Sequence, residues 1–415
     1  MNAEIIAVGS ELLTPYRQDT NSLYLTAKLN DLGVAVSFKT IVGDRQSDLV
    51  AAARAALSRA AIIIFMGGLG PTEDDLTREA AAEALGRPLH RDQQYVEWLR
   101  ARFAERGWSM PENNARQGDV VEGAEVLPNK RGSAPGQWIQ TDYEGGKRAI
   151  LLLPGPPKEL TSLFEEHCLS RLRQFIPPLH IASRELKIAM IGESMVDQRA
   201  APIYKQHSDV ETTILAGTPG EVQLHLRAQA ESEDVAQKRV EALSSALEDE
   251  FQEAVFSTNG ESMEQIVGYF LQMRQSTLAA AESCTGGMLA ERITSVPGSS
   301  RYFLGGAVVY DNSLKSALAG VPPLLIAEHG AVSREVATAL AEGIRERCKS
   351  TLGVGITGIA GPDGGTEQKP VGLVFVGVSD GTKTEVVERK FFGDRERIRQ
   401  WATQQALDMV RRRLM

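Results

Sequence analysis

AIIIFMGGLGPTEDDLTREAAAEALG, residues 61–86, holds a strand, a loop and a helix in one uninterrupted run. Residues 61–66 are apolar without a break. Alternation would mark a strand wet on one face, whereas a continuous run suits a parallel strand covered on both. The glycines at 67, 68 and 70 and the proline at 71 end the strand, and LTREAAAEALG is Ala-rich and helical.

The same strand–helix alternation continues on the N-terminal side. Residues 4–9 (EIIAVG) and 35–41 read as strands, and 20–32 and 47–60 as helices. Repeated βα units predict an α/β sheet with right-handed crossovers. On the C-terminal side, 136–141 and 149–153 read as strands, and the prolines of PGPPKE set a turn before a helix from Lys158. Residues 175–179 (FIPPL) read as a linker. Strands at 184–191, 211–216 and 221–228 with helices at 194–204 and 232–251 then give a βαββα segment, expected to form a small α+β domain. After a polar break at 257–261, a helix at 264–274 opens a third unit, with strands at 278–281, 302–310, 353–356 and 372–378 between helices.

Composition bounds the function. At roughly one domain per 150 residues, the chain of 415 residues predicts two or three domains, and 42% hydrophobic with 24% charged residues is an ordinary globular balance. The net charge of −9 speaks against a nucleic-acid backbone as partner. The three cysteines (Cys168, Cys284, Cys348) have no CxxC pairing, which supports neither a disulfide framework nor a cysteine zinc site and fits a reducing cytoplasm. MNAEIIAVGSELL lacks a basic n-region and a long apolar h-region, and no apolar run approaches a membrane span, so neither secretion nor a membrane is expected.

Ligands of open α/β sheets bind at the carboxyl ends of strands, where GGLGPTEDD stands. Gly67, Gly68 and Gly70 let backbone amides approach an anion, and Thr72 offers a hydroxyl and an N-cap. Asp74 and Asp75 are hard oxygen ligands for Mg²⁺, which usually takes only one or two carboxylates plus substrate phosphates. The plainer alternative is a tight turn with acidic residues favoured by the helix dipole. The acidic pair directly after Gly-Pro-Thr tips the reading toward a metal-assisted phosphate site.

GSELL at 9–13, DTN at 19–21, VGDR at 42–45, GGLGPTEDDLT at 67–77, MPEN at 110–113, RGSAPG at 131–136 and LPGPPKE at 153–159 resemble the MoaB/MogA-type molybdopterin-binding fold. The version they resemble stands at the front of the CinA family (competence/damage-inducible protein A). That resemblance implies an ADP-ribose pyrophosphatase using a divalent metal, Mg²⁺ or a transition metal such as Co²⁺. It implies Asp74, Asp75, Asp44 and Glu11 for the metal, with Asn21, Thr72 and the three glycines around the diphosphate. Glu11 reads equally as a surface carboxylate at a helix start, and Asp44 as a cap or turn residue. Two positions depart from the pattern: Pro15, where related sequences often carry Gly, and Gly118, where Ala is common.

In the third unit, LAAAESCTGGMLAERI runs from strand into helix with Ser283 at the junction. Amides of the helix start could form an oxyanion hole, and Gly286 and Gly287 leave room for a substrate. In isolation, an N-cap is the better reading of Ser283 or Thr285. Cys284 lacks a supporting His motif and reads as a buried, inert thiol. GGAVVYDNSLK ends a strand with Tyr310 and places Lys315 early in the next helix. If buried, Lys315 would have a lowered pKa and serve as base; alone, it reads as a solvated helix residue. ITGIAGPDGG adds a Gly-rich loop at the same sheet edge, with Gly358 and Gly361.

These stretches, with PGSS at 297–300, HGAVS at 329–333, KPVG at 369–372 and FFGDRERIR at 391–399, closely resemble the CinA C-terminal domain over nearly all of 260–415. That resemblance implies deamidation of nicotinamide mononucleotide to nicotinate mononucleotide and ammonia, with no cofactor. It makes Ser283 the nucleophile, Lys315 the base, and Tyr310 a pocket wall or lysine orienter. Thr285, Gly286, Gly287, Gly358 and Gly361 would contact substrate, with Arg395 and Arg399 near its phosphate; those arginines read alternatively as a solvated charge run. Residues 180–255 resemble the KH-like linker domain of full-length CinA proteins, without a basic GxxG loop. The expected architecture is α/β: a MoaB/MogA-like domain over 1–170, a KH-like connector over 171–256 and an amidase domain over 257–415. The resemblance implies a homodimer acting on two nucleotides. The competing function is a pterin- or nucleotide-binding regulatory module tied to competence or DNA damage.

Overall fold

A computed structural model describes residues 1–178 and 180–415. Contacts divide the chain into two compact units, 1–181 and 182–415. Leu179, within the linker read at 175–179, lies outside the described residues.

The first unit runs β1 (Asn2–Val8), α1 (Asn21–Asp31), β2 (Ala35–Val42), α2 (Gln46–Arg59), β3 (Ile62–Met66), α3 (Thr77–Leu85), β4 (Leu89–Arg91), α4 (Gln93–Glu105), β5 (Asp119–Val121), β6 (Glu125–Leu127), β7 (Gly136–Tyr143), β8 (Gly146–Leu153), α5 (Pro157–Leu163) and α6 (Leu169–Phe175). Its main sheet is ordered β2-β1-β3-β8-β7-β6, with β4 and β5 forming a separate pair. β3 lies parallel between β1 and β8, as its unbroken apolar run predicts. Successive side chains of a strand face opposite ways. Ile62, Ile64 and Met66 therefore join a core with Leu25 and Leu29 of α1, while Ile63 and Phe65 join another with Leu49, Ala53 and Leu57 of α2. β7 and β8 form an antiparallel hairpin whose two linking residues, Glu144 and Gly145, have φ of 46° and 78°, the geometry that matches strand twist.

The second unit starts with β9 (His180–Ala189), α7 (Glu193–Tyr204), β10 (Val210–Ala216), β11 (Glu221–Ala230), α8 (Glu233–Phe251) and β12 (Val255–Ser257), with sheet order β10-β11-β9-β12. It continues through α9 (Met263–Met273), β13 (Leu278–Glu282), α10 (Met288–Thr294), β14 (Phe303–Val308), α11 (Asn312–Ala319), α12 (Pro323–His329), α13 (Arg334–Cys348), β15 (Leu352–Gly358), β16 (Leu373–Ser379), β17 (Thr384–Lys390) and α14 (Arg395–Leu414). The order β14-β13-β15-β16-β17 puts β13 between two parallel neighbours, with β16 and β17 antiparallel. Leu278 and Ala280 of β13 face a core with Ala402 and Leu407 of α14, and Ala279 and Ala281 face Leu340 and Ile344 of α13.

Among the described residues three main sheets, besides the small β4–β5 pair, occur where three domains were expected, and two of the expected boundaries cut elements. The expected 170/171 boundary falls inside α6, and 256/257 falls inside β12, whose Ser257 is registered opposite Lys187 of β9. β17 escapes a hydrophobic reading because TEVVERK is an edge strand with much of its length in water. α4 starts where the Asp92 carboxylate accepts from the Tyr95 amide at 3.0 Å, a cap that its mixed polar sequence conceals. Among the described residues no helix is long and apolar enough to cross a membrane.

Gly67, at the carboxyl end of β3, has φ of 100°, and a Cβ there would lie 2.4 Å from the Val8 carbonyl oxygen. Gly67→Ala is expected to cost about 1–3 kcal/mol through backbone strain. A lowered urea midpoint for the first unit would register it, and an unchanged midpoint would contradict this packing.

Candidate functional site

The loop after β3 is held from beneath. The Gly67 amide donates to Leu153 O at 2.9 Å, and the Thr77 hydroxyl donates to Gly67 O at 2.8 Å. The Arg78 guanidinium, 0% exposed, donates to Leu69 O at 2.8 Å and to Gly70 O at 2.9 Å. Burial pushes Arg78 below the ordinary arginine value. Arg116 donates to Thr72 O at 3.0 Å and to Glu79 at 2.9 Å. With the loop carbonyls engaged, the amides of Gly68, Leu69 and Gly70 have no acceptor among the described residues. Successive amides of this kind make an anion-binding concavity.

Two local readings change. Thr72 caps no helix: α3 begins at Thr77 after Leu76, the Thr72 hydroxyl donates to Asp75 Oδ2, and the Thr72 amide donates to the same oxygen at 2.9 Å. Gly70 leaves room for the carboxylate that holds Thr72, since a Cβ there would lie 2.3 Å from Asp75 Oδ2.

Glu11, Asp44, Thr72, Asp74 and Asp75 line one cleft of about 330 Å³ together with the glycines. Asn21 instead lines a neighbouring cavity of about 720 Å³ that shares Glu11 and Gly155. Its Nδ2 donates to Gly155 O at 2.8 Å, so it fixes the PGPP loop between the two. Asp44 accepts from the Ser10 amide at 2.8 Å and ties the VGDR turn to GSELL, rather than capping α2, whose N-cap is Arg45. Pro15 precedes Tyr16 and Arg17, which line the larger cavity. Gly118 lies under α4, where a Cβ would meet Val96 at 2.6 Å. Gln117 and Glu159 also line the smaller cleft and were not singled out from sequence. Glu159 stood in the quoted LPGPPKE, but Gln117 is reached only through the fold.

The carboxylates suit a cation that arrives with a phosphate better than one held in an all-protein cage. Asp44 and Asp75 each spend an oxygen on a loop amide. Among the described residues no three His, Cys, Asp or Glu side chains are arranged to hold a metal ion. Mg²⁺ needs only one or two carboxylates when substrate oxygens complete its shell.

In the second unit, Ser283 follows the last residue of β13. Its amide donates to Ile356 O at 3.0 Å, while its Oγ has no hydrogen-bond partner among the described residues. Ser283 and Thr285 do not cap α10, which begins at Met288 behind Gly287 with φ of 96°. The expected oxyanion donors at the helix start are already used: the Glu282 carboxylate accepts from Gly287, Leu289 and Ala290 amides at 3.0, 3.0 and 2.9 Å. The amides of Cys284 and Thr285 remain without an acceptor among the described residues.

Lys315 is not a solvated helix residue. It is 2% exposed, and its Nζ donates to Val309 O at 3.0 Å and Tyr310 O at 3.1 Å. Burial lowers its pKa below the ordinary 10.5. A neutral amine has two hydrogens and one lone pair, so two carbonyl acceptors leave the lone pair as its remaining valence. The orienting group is the Tyr310 carbonyl, not the phenol. Tyr310 stands beyond β14, and its hydroxyl accepts from Arg395 at 2.8 Å.

α14 gathers the loops. Arg395 also donates to Gly361 O at 2.7 Å, and Arg399 donates to Thr285 O through Nε at 3.1 Å and a terminal nitrogen at 2.7 Å. Both arginines are thus loop clamps rather than a free charge run. The Thr285 side chain is fully buried, with its hydroxyl unpartnered among the described residues, and Gly358 packs against Val374. Gly286, with φ of 59°, and Gly287 shape the turn. Burial pushes the Cys284 thiol up to about 12, which leaves it protonated and inert.

Comparison with known proteins supports the three-part organisation. Residues 260–414 match the profile described as "CinA C-terminal domain", 4–174 the "Probable molybdopterin binding domain", and 183–257 the "Damage-inducible protein CinA KH domain". The whole chain is 61% identical to a CinA-like protein of Koribacter versatilis, covering 100% of it. It is 49% identical to a CinA-like protein of Solibacter usitatus, covering 98% of that protein. Among solved structures, the competence/damage inducible protein CihA from Agrobacterium tumefaciens is similar over 35% of this chain and 90% of its own, at 34% identity and a TM-score of 0.35.

Two substitutions test this geometry. Arg78→Met orphans two loop carbonyls and is expected to cost about 2–5 kcal/mol, at about 1–3 kcal/mol for each acceptor left unsatisfied. Tyr310→Phe removes one exposed hydrogen bond and is expected to cost no more than about 1.5 kcal/mol. Urea unfolding measures both, and the reverse order would contradict these assignments.

Proposed function

The chain belongs to the CinA family, and from that premise we propose that it is a bifunctional hydrolase whose C-terminal part deamidates nicotinamide mononucleotide. The observation that carries this reading is the buried Lys315 amine, held by two carbonyls beside the turn that bears Ser283. Val309, one of those two acceptors, donates its own amide to Glu282 O at 2.7 Å, next to the nucleophile. Ser283 Oγ attacks the carboxamide carbon as its proton passes to Lys315 Nζ. The tetrahedral oxyanion is met by the amides of Cys284 and Thr285. Its collapse breaks the C–N bond, and Lys315 returns the proton to the departing nitrogen, released as ammonia. Water, deprotonated by Lys315, then attacks the Ser283 ester. Collapse of that second intermediate frees nicotinate mononucleotide, and the proton goes back to Ser283 Oγ. Ser283 and Lys315 share no hydrogen bond among the described residues. Catalytic contacts of this kind commonly tighten only with substrate bound.

The N-terminal part is proposed to hydrolyse ADP-ribose to AMP and ribose 5-phosphate. The amides of Gly68, Leu69 and Gly70 would hold phosphate oxygens, with Asp74, Asp75, Asp44 and Glu11 lining the same cleft. A divalent cation, when bound, neutralises diphosphate charge and polarises a phosphoryl oxygen. Exposed Asp74 and Glu11 are the carboxylates best placed to meet it.

Ser283→Ala and Lys315→Ala are each expected to abolish ammonia release from nicotinamide mononucleotide; near-wild-type turnover in either would end this mechanism. Because the neutral amine is the base, kcat/KM is expected to rise with pH to a plateau whose midpoint lies below 10.5. Stability follows the same sign. Between the lowered native pKa and 10.5 the unfolded chain binds more protons, so this group's contribution to stability rises with pH over that window. Asp74→Ala or EDTA should remove ADP-ribose cleavage, read as AMP by chromatography, while leaving deamidation intact.

A further inference from the structure

The start of α10 is where a strand–turn–helix nucleophile would be expected to find its oxyanion donors, and here a carboxylate occupies it. Glu282, 2% exposed, is the last residue of β13. Its Oε2 accepts from Gly287 and Leu289 amides at 3.0 Å each, and its Oε1 accepts from Ala290 at 2.9 Å. These bonds run between the residue before Ser283 and the first turn of the helix after it. The backbone around Ser283 is held on both flanks as well. The Val309 amide donates to Glu282 O at 2.7 Å from the β14 side, and the Ser283 amide donates to Ile356 O at 3.0 Å on the β15 side.

We propose that Glu282 is a positioning residue for Ser283. It touches no reacting atom. It locks α10 to the end of β13, so that the intervening turn, with Ser283 Oγ and the amides of Cys284 and Thr285, has one conformation. The carboxylate suits this task because all its oxygens accept, whereas an amide of the same size would turn a donor toward a backbone donor. This inference rests on Ser283 being the nucleophile, but not on the identity of the substrate.

The test uses the full-length protein and a fluorophosphonate serine probe, with the labelled residue located by mass spectrometry and ammonia release from nicotinamide mononucleotide followed in parallel. Wild type, Glu282→Gln, Glu282→Asp and Ser283→Ala are compared. Labelling at Ser283 is expected to slow by about tenfold to hundredfold in Glu282→Gln, the scale of a small misplacement of a reacting group. kcat is expected to fall in step with KM little changed, and Glu282→Asp, which keeps a carboxylate, to lie between. Wild-type labelling in Glu282→Gln would overturn the proposal, even if its Tm falls, because Glu282 would then be a structural cap alone. Absence of Ser283 labelling in wild type would overturn it too. If wild type is labelled but releases no ammonia, the substrate reading fails and the labelling rates still decide the positioning role. Should Glu282→Gln not fold, the same comparison with Glu282→Asp decides, with wild-type labelling there counting against the proposal.

Discussion

The Val309 amide donates to the Glu282 carbonyl at 2.7 Å, one residue beyond the Glu282–Val308 register pair. That bond makes β13 and β14 end level, so Ser283 and Val309 leave the sheet side by side. The Val309 and Tyr310 carbonyls that follow cradle Lys315. A slip of one residue would turn every side chain of the strand to its other face. A slip of two would draw the lysine cradle away from the serine. The sheet register therefore sets the candidate nucleophile–base pair, and α11 has only to deliver a lysine to a place already made.

Both candidate sites stabilise a Gly-rich turn with one buried charged side chain, but with opposite sign. Arg78 takes carbonyls of the first loop, and the Gly68–Gly70 amides stay available for an anion. Glu282 takes amides of the second, and among the described residues those of Cys284 and Thr285 remain without an acceptor. The choice follows the chemistry proposed for each loop. A diphosphate calls for several donors, whereas a transient oxyanion calls for a small, well-aimed pair. In each case backbone groups meet the buried charge and offset part of its desolvation cost, although Arg78 Nε has no partner among the described residues.

α14 completes the second site from the far end of the chain. Arg395 and Arg399 in its first turns join the loops after β13, β14 and β15. Near its other end Arg411, 1% exposed, donates to Asp408 and to the Glu253 carbonyl just after α8. A helix of 20 residues spans about 30 Å. The same rigid element thus meets the candidate active site at one end and the KH-like segment at the other.

How much of this was legible in the sequence follows from the range of the forces involved. AIIIFM, LAAAE and the glycine loops announce buried parallel strands with sites at their carboxyl ends, because hydrophobic period and turn chemistry are local properties. The motifs carried the family, which whole-chain identity to its members then established. What only the tertiary structure decided is which atoms are already in use. Whether Lys315 is solvated or buried, whether Tyr310 acts through its phenol or its carbonyl, and whether the α10 amides are open or taken by Glu282 depend on hydrogen bonds and burial between chain-distant segments. A side chain's type is written locally, but its protonation and its partners are set by the neighbours the fold brings to it.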